Sequence, residues 1–320
     1  MIELSVVLPV FNEAENLPAL HEALTSVLDG LGKRYELLYV DDGSTDGSFT
    51  VLGRLADKAP HVRLIRLRRN YGQTAAISAG IAAASGRVLC VLDSDGQNDP
   101  HDIPRLLARL DEGFDVVSGW RKQRKDPWLS RRLPSAIANK LISWITGVPL
   151  HDYGCTLKVY RVAALEGIRL YGEMHRLIPA FAAHEGARVG ELAVNHHPRR
   201  AGRSSYGIDR TLKVILDLIV MKFLFGYATK PIYVFGAIGV ASCLAGMLAG
   251  AVTVVEKLLA GVYVHRNPLI LLAVFLFLLG VQCVLMGLLA ELLIRTYHES
   301  QRKATYVVAE RVHPADGSSE

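Results

Sequence analysis

A short apolar run leads into a cluster of carboxylates at residues 88–100, which read VLCVLDSDGQNDP. The run 88–92 has the length and composition of a buried strand. Side chains two apart at a strand end project to one side, so Asp93 and Asp95 can converge on one ligand, and Gln97 can add a neutral oxygen. Two adjacent carboxylates repel each other unless a cation or a donor meets them. Such hard oxygen atoms suit Mg²⁺ or Mn²⁺.

The segments on either side of this stretch alternate between apolar strands and helical patterns. Strands are predicted over residues 4–9, 35–40, 62–66, 88–92 and 115–118. Helices are predicted between them, over residues 17–31, 48–58 and 74–84. This alternation predicts an α/β domain with a largely parallel sheet, whose ligand sites open at the carboxyl ends of the strands.

The ends of the first two predicted strands carry further polar residues. Residues 9–13 (PVFNE) follow the first strand without the glycines of a GxGxxG fingerprint, which weighs against an NAD or FAD enzyme. Asp41 and Asp42 follow the second strand and open a turn. A carboxylate there can bond a ribose or a base, although an Asp-Gly turn without a ligand is the more common explanation. Asp46 is open to the same two interpretations.

Composition indicates that part of the chain lies in lipid. Half of the 320 residues are hydrophobic and only 21% are charged. Residues 231–255 and 267–290 contain no Asp, Glu, Lys or Arg, and each is long enough to cross a bilayer as a helix. Basic residues precede the first span and follow the second, so the positive-inside rule places both termini in the cytoplasm. The N-terminus shows no signal peptide, which favours the same location.

Other stretches near these spans have weaker patterns. Residues 208–225 predict an amphipathic helix in the membrane interface, and residues 135–145 predict either a second one or a helix packed on the core. Gly246 and Gly250 form a GxxxG pattern, which marks a helix-packing face or ordinary glycine usage. Residues 304–309 have a strand-like composition. Their pairing with a neighbouring copy, and hence a homo-oligomer, is a hypothesis.

Basic residues are concentrated in two places, within a net charge of +5. Six lie within residues 121–132, and three more within residues 199–203. Such patches are common on solvated surfaces and also suit nucleic acid. Beside two membrane spans, the phosphate of a lipid is the better partner, and nucleic acid is not expected. The four cysteines have no metal-ligand spacing, so neither a zinc site nor a disulfide framework is expected.

Several segments together resemble family 2 glycosyltransferases of the GT-A fold, in particular the membrane-bound polyprenyl-phosphate glycosyltransferases. These include undecaprenyl-phosphate glucosyl and aminoarabinose transferases and dolichol-phosphate mannose synthase. The matching segments are residues 7–13 (VLPVFNE), 41–44 (DDGS), 69–73 (RNYGQ), 93–97 (DSDGQ) and 151–155 (HDYGC), with the two C-terminal spans. Any one motif is weak, but their order and spacing are specific, and the resemblance covers nearly the whole chain. Residues 69–73 and 152–155 look most like the aminoarabinose type.

The resemblance implies two ligand sites. Nucleotide-sugar contacts are implied for Pro9, Glu13, Asp41 and Asp93, and metal ligation for Asp95 and Gln97. The acceptor phosphate is implied to bind Arg121, Arg131 and Ser135, with Arg199 approaching the same region. Ser205 stands where the family usually has Lys, so either Arg203 supplies that charge or the contact is absent. Asp152 orients the sugar or acts as a weak base, with a structural Asp capping a turn as the alternative.

The activity that this resemblance implies is the inverting, metal-dependent transfer of a sugar from a nucleoside-diphosphate sugar to undecaprenyl or another polyprenyl phosphate. The catalytic groups would be Asp95, Arg121, Arg131 and Asp152, and the product would serve cell-envelope glycan or lipid modification. A processive polysaccharide synthase typically has a QxxRW motif and more membrane helices, which this chain lacks. The non-enzymatic alternative is a membrane scaffold or lipid-translocation partner that retains a nucleotide-sugar fold.

These predictions divide the chain into six parts. They are a cytoplasmic GT-A catalytic domain (1–207), an amphipathic juxtamembrane segment (208–230), a transmembrane helix (231–255), a short non-cytoplasmic loop (256–266), a second transmembrane helix (267–290) and a cytoplasmic tail (291–320). The expected protein is therefore a multi-pass enzyme of the cytoplasmic membrane that contacts the lipid bilayer.

Overall fold

The chain forms two structural units. The computed structural model describes residues 1–122, 133–168, 170, 172, 174–198, 232–261, 263–300 and 308–312. The first unit consists of Met1–Leu218 and Ala304–Glu320, and the second of Ile219–Lys303. The chain therefore leaves the first unit once and returns to it before its end.

The first unit contains an eight-stranded sheet and six of the described α-helices. Its strands are β1 (Leu4–Val10), β2 (Tyr35–Asp41), β3 (Val62–Leu67), β4 (Val88–Val91), β5 (Val116–Trp120), β6 (Lys158–Arg161), β7 (Val189–Ala193) and β8 (Val308–Val312). Its helices are α1 (Leu17–Asp29), α2 (Ser48–Ala56), α3 (Gln73–Ala83), α4 (Ile103–Asp111), α5 (Leu133–Thr146) and α6 (Ile178–His184). Every strand and helix predicted before residue 119 is confirmed, with ends that differ by at most two residues.

The sheet is mixed and mostly parallel, in the order β7-β5-β6-β4-β1-β2-β3-β8. The central strands β4, β1, β2 and β3 are parallel, as predicted. Strand β6 lies antiparallel between β4 and β5, and β8 lies antiparallel on β3. The segment after the second span thus contains a strand that pairs within its own chain, where the sequence suggested a neighbouring copy.

The direction of β6 determines which loops meet. Lys158, the first residue of β6, is paired with Val91 at the end of β4 and with Ser118 near the end of β5. The residues before β6 therefore lie at the same edge as the residues after β4 and β5. Strand β7 is parallel to β5, so the segment after it reaches this edge as well. We call this end of the sheet, where β4, β5 and β7 finish and β6 begins, the site edge. The term refers to the ends of the strands and not to an outermost strand.

The opposite edge of the sheet is closed by a buried polar network. Glu36 accepts hydrogen bonds from Ser5 Oγ (2.6 Å) and from the backbone N–H of Ser85 (2.7 Å). Its other oxygen pairs with Arg63 Nη1 at 2.7 Å. A buried carboxylate is tolerated when its oxygens are bonded, and both oxygens of Glu36 are occupied by protein donors.

The second unit is a pair of long apolar helices, α7 (Ile232–Ala260) and α8 (Leu269–Ser300). Within them, Tyr233–Leu259 and Leu269–Ala290 are long and apolar enough to cross a membrane. The first helix continues past the predicted end of its span at residue 255 and ends at Ala260, and Glu256 in its last turns accepts a hydrogen bond from Asn267 Nδ2. The connection predicted over residues 256–266 is correspondingly shorter.

Glycines allow α7 and α8 to approach each other closely. A Cβ at Gly246 would lie 2.8 Å from the carbonyl oxygen of Ala273, and a Cβ at Gly280 would lie 2.5 Å from that of Gly239. A Cβ at Gly250 would meet only the Ala273 Cβ, at 3.9 Å. Of the two glycines in the GxxxG pattern, only Gly246 lies where a side chain would collide with the facing helix. Gly250 has room for a methyl group.

We predict that Gly280→Ala destabilises the helix pair and that Gly250→Ala does not. The added methyl group must push the two backbones apart at residue 280, at a cost of about 1–3 kcal/mol, and finds ordinary van der Waals space at residue 250. The melting temperature of the detergent-solubilised protein measures both effects. Equal melting temperatures for the two variants would contradict the close approach of α7 and α8 at residue 280.

Candidate active site

The loop after β2 holds the loop between β3 and α3. Asp42 accepts hydrogen bonds from the backbone N–H groups of Tyr71 (2.7 Å) and Gly72 (2.8 Å). Gly43 has a φ of +72°, and a Cβ there would lie 2.6 Å from the backbone of Arg69. The Asp-Gly pair is therefore required by the close packing of two loops. This geometry favours the turn-shaping alternative for Asp42.

The loop after β1 is fastened to the loop after β2 in the same way. Asn12 is the one non-glycine residue with positive φ (+56°) in the described part of the chain. Its Oδ1 accepts a bond from Thr45 N at 2.8 Å, and Asp46 Oδ2 accepts one from Ala14 N at 3.0 Å. The side chain of Asp46 is thus occupied in joining the two loops. Glu13, which lies between the two bonds, is held at the site edge.

Asp41 ends β2 with one carboxylate oxygen that lacks a hydrogen bond. The side chain is fully buried, and its Oδ1 accepts a bond from Ser44 N at 3.2 Å. Its Oδ2 has no hydrogen-bond partner among the described residues, and Arg66 Nε lies 3.7 Å away. A buried acceptor that is left unbonded costs about 1–3 kcal/mol. A hydrogen-bond donor on a ligand, such as a base N–H, would satisfy it.

Asp93 and Asp95 follow β4 at the centre of the site edge. Asp93 accepts hydrogen bonds from Gln73 Nε2 and Thr156 Oγ1, both at 2.6 Å. Asp95 is buried, and its Oδ1 accepts a bond from Gln97 N at 3.0 Å. Burial, together with the neighbouring carboxylate of Asp95, raises the pKa of Asp93. A carboxylate whose charge is disfavoured by burial and by its neighbour in this way fits a site that receives a cation.

The donor atoms here suit a hard divalent cation. The described residues contain no group of three or more His, Cys, Asp or Glu side chains that would hold a metal ion by themselves. The pair Asp93 and Asp95, with the amide oxygen of Gln97, therefore fits an ion that keeps water and ligand phosphate oxygens in its coordination sphere. Mg²⁺ and Mn²⁺ have this preference.

Arg121 and Asp152 form a nearly buried ion pair with two parallel hydrogen bonds. Arg121 Nε lies 2.7 Å from Asp152 Oδ2, and Nη2 lies 2.9 Å from Oδ1. The two side chains are 14% and 3% exposed. Burial opposes the charge of Arg121, but the Asp152 carboxylate outweighs it and raises the pKa of the guanidinium. Because both oxygens of Asp152 bond Arg121, the geometry favours a structural role for Asp152, that of holding the guanidinium, over orienting the sugar or acting as a base.

The remaining predicted site residues are only partly placed. Pro9 lies within β1, where its carbonyl oxygen accepts a bond from Ser94 Oγ at 2.8 Å. Ser135 lies in the first turn of α5 and is half-buried. The predicted residues that fall outside the described part of the chain are Arg131, Arg199, Arg203 and Ser205, with the predicted helix 208–225.

Sequence analysis missed the residues that hold these groups in place. Gln73 and Thr156 fix Asp93, although Gln73 lies in one of the family-like segments. Lys158 is buried at the start of β6, where its Nζ donates hydrogen bonds to the carbonyl oxygens of Tyr153 (3.2 Å) and Cys155. The sequence feature that could have identified Lys158 is the presence of a lysine within an apolar strand. Burial lowers the pKa of Lys158 to about 8.

Comparison with known proteins places the chain in a family. Residues 5–169 match the family model for glycosyl transferase family 2. Dodecaprenyl-phosphate galacturonate synthase of Rhizobium johnstonii is 42% identical over 311 residues, which cover 96% of this chain and 92% of that protein. Undecaprenyl-phosphate 4-deoxy-4-formamido-L-arabinose transferase of Salmonella paratyphi B is 36% identical over 318 residues, 99% and 95% of the two chains.

A solved structure has the same fold. Glucosyl-3-phosphoglycerate synthase from Mycobacterium tuberculosis, crystallised with Mn²⁺, uridine diphosphate and glucosyl-3-phosphoglycerate, matches with a TM-score of 0.55 at 18% identity. The match covers 70% of this chain and 80% of that chain. The fold is that of the GT-A glycosyltransferases. The chain belongs to glycosyl transferase family 2 and is an enzyme of that class.

We predict that the buried charge of Lys158 makes stability depend on pH. Below pH 8 the folded and unfolded chains both carry the proton, and the folded protein bears the full cost of burying it. Between pH 8 and 10.5 only the unfolded chain retains the proton, so the free energy of unfolding rises with pH, by up to about 3 kcal/mol.

The measurement is the melting temperature of the wild type relative to Lys158→Met from pH 7 to 10. The difference should shift in favour of the wild type as the pH rises above 8. The same substitution at Lys140, which is exposed on α5, is the control. A difference that stays flat with pH for Lys158→Met would contradict a buried ammonium group at this position.

Proposed function

We propose that this protein transfers a sugar from a nucleoside-diphosphate sugar to a polyprenyl phosphate, by an inverting and metal-dependent reaction. The observation that carries the proposal is the meeting of Asp41, the pair Asp93 and Asp95, and Arg121 at one edge of the sheet. The first two groups suit a nucleotide with a divalent cation, and the third suits a phosphate. Two relatives whose names describe galacturonate and formamido-arabinose products of polyprenyl phosphates support the same chemistry.

The donor would lie across the loops after β1, β2 and β4. The unbonded oxygen of Asp41 is suited to a base N–H, and Pro9, Glu13 and Asp93 are assigned to the rest of the nucleotide sugar. Asp95 and Gln97 would hold a magnesium or manganese ion. When bound, that ion would neutralise the diphosphate as it leaves.

The acceptor requires orientation more than activation. A phosphate monoester has a second pKa of about 6, so near neutral pH it is largely a dianion and already a nucleophile. Arg121 stays charged and provides N–H donors for it, while Asp152 keeps the guanidinium in place. Arg131, Ser135, Arg199 and Arg203 are assigned to the same phosphate from the family resemblance alone. Inversion then needs the dianion to be held opposite the departing diphosphate.

We infer that both ends of the helix pair lie on the cytoplasmic side with the catalytic unit. Strand β8 follows α8 in the chain and pairs with β3 of the catalytic sheet. The chain must therefore cross the membrane an even number of times between them, and α7 and α8 provide two crossings. On α5, Trp144 is 77% exposed while Ile142 is 4% exposed. This helix packs on the core with one face and offers an aromatic residue to the interface with another.

The central test is Asp95→Asn in an assay of labelled sugar transfer to undecaprenyl phosphate. A panel of UDP- and GDP-sugars, UDP-galacturonate among them, is supplied with Mg²⁺ or Mn²⁺. We expect one donor to give a lipid-soluble product, and Asp95→Asn to lower its formation by about a hundredfold or more, because a charged ligand of the cation is lost.

The matched control is Asp57→Asn, since Asp57 is exposed at the end of α2. Calorimetric binding of UDP or GDP should depend on the metal in the wild type and lose that dependence in Asp95→Asn. A non-catalytic scaffold would bind the nucleotide and form no product with any donor. Full activity of Asp95→Asn would contradict the proposed metal site.

We further predict that the connection between α7 and α8 is reached from outside the cytoplasmic membrane. Tyr263 is exposed in this connection, and Asp57 is exposed in the catalytic unit. In a variant without native cysteines, a membrane-impermeant maleimide should label Tyr263→Cys in spheroplasts and label Asp57→Cys only after lysis. Labelling of both cysteines before lysis, or of neither, would contradict this topology.

A further inference from the structure

Glu191 contacts the loop that carries Asp152, although nothing in its sequence context marks it. Residues 151–155, here called the Asp152 loop, precede β6 at the site edge. Glu191 lies in β7, opposite Ser118 of β5. Its Oε1 accepts hydrogen bonds from the backbone N–H groups of His151 (2.9 Å) and Asp152 (3.2 Å). Its Oε2 lies 2.7 Å from His151 Nδ1.

The same loop is held against β5 by ring stacking. The imidazole of His151 stacks on the indole of Trp120, with centroids 4.3 Å apart and planes inclined by 19°. Asn139 Nδ2 of α5 donates to the carbonyl oxygen of His151 at 2.8 Å. Trp120 directly precedes Arg121. The loop and the arginine that it pairs with are therefore fixed to each other at two places, by the stacked rings and by the ion pair.

The ion pair uses only part of the guanidinium group. Arg121 Nε and Nη2 bond Asp152, whereas Nη1 makes no hydrogen bond to any residue in the described part of the chain. A Cβ at Gly154 would lie 3.1 Å from Arg121 Nη2, so the loop backbone also packs closely beside the group. The plane of the guanidinium is thus set by the loop, and the N–H groups that Asp152 does not use, two on Nη1 and one on Nη2, are left to donate to a ligand.

We propose that Glu191 is a positioning residue for the acceptor phosphate, acting through Asp152 and Arg121. It fixes the backbone of the Asp152 loop, the loop fixes the carboxylate of Asp152, and that carboxylate fixes the direction in which Arg121 Nη1 points. Glu191 itself touches neither substrate. This inference rests on the proposed function, because it assigns Arg121 to the phosphate of a polyprenyl phosphate.

The role requires a hydrogen-bond acceptor and not a negative charge. The two backbone N–H groups that Glu191 binds are neutral, and a glutamine side chain offers the same carbonyl oxygen to them with an amide group facing His151. Glu191→Gln should therefore preserve the loop, and Glu191→Ala should release it. A role for Glu191 as a base or as a charged ligand contact would make both variants equally defective.

The kinetic experiment compares these two variants of the full-length protein in detergent. We expect Glu191→Ala to raise the KM for undecaprenyl phosphate about tenfold, the loss of roughly one hydrogen bond to a charged group, and to leave the KM for the nucleotide sugar unchanged. Glu191→Gln should stay within about threefold of the wild type. Glu185→Ala is the matched control, because Glu185 is exposed at the end of α6.

A second measurement does not depend on activity. In a Trp128→Phe, Trp144→Phe background, Trp120 is the one remaining tryptophan. Release of the Asp152 loop should uncover its ring, so that acrylamide quenches Trp120 more strongly in Glu191→Ala than in Glu191→Gln or in the background itself. This readout follows the loop even if no donor in the panel is transferred, and it separates a failure of this inference from a failure of the proposed function.

Three results would overturn the positioning role. The first is Glu191→Ala with unchanged KM values and unchanged quenching of Trp120. The second is Glu191→Gln as defective as Glu191→Ala, which would assign a role to the charge. The third is an increase in both KM values by the same factor, which would indicate that Glu191 supports the donor and acceptor sites equally and does not act on Arg121 in particular.

Discussion

Because β6 runs antiparallel to both β4 and β5, the residues before it lie beside the residues that follow its neighbours. The contacts that the loop before β6 makes at the site edge depend on this reversal. It places Thr156 against Asp93 and Asp152 against Arg121. A fully parallel sheet would put the residues before β6 at the opposite edge. Lys158 is buried at the start of β6. Its ammonium group donates hydrogen bonds to two carbonyl oxygens of the preceding loop and so ties that loop to the strand.

The site contains a pair of neighbouring carboxylates and, beside it, an arginine that is paired with a carboxylate of its own. Asp93 and Asp95 lie close together, and the neighbouring carboxylate of Asp95 together with burial raises the pKa of Asp93 although Gln73 and Thr156 bond it. Arg121 is held by its carboxylate partner, Asp152. The loops that carry these groups are fixed by their own side chains, as Asn12 and Asp42 show. Such preorganisation lowers the cost of orienting two highly charged substrates.

Sequence patterns predicted the parts of this arrangement that depend on local order. Strands and helices before residue 119 follow from apolar periodicity, and the carboxylates after β4 follow from their position at a strand end. Strands β6 and β7 were not predicted, because they are short and their direction is set by pairing across the sheet. Glu191 and Thr156 act on residues 39 and 63 positions away in sequence. Contacts of that range leave no periodic pattern in a single chain.

The position of β8 sets an order for biosynthesis. Strand β3 has its outer edge unpaired until the ribosome has made α7, α8 and the residues beyond them. An unpaired edge is a template for pairing with other chains, so the nascent catalytic unit is exposed to aggregation during this interval. The catalytic sheet is therefore completed only after both apolar helices have been synthesised. A chain that ends prematurely after α8 keeps both apolar helices and lacks the strand that covers β3.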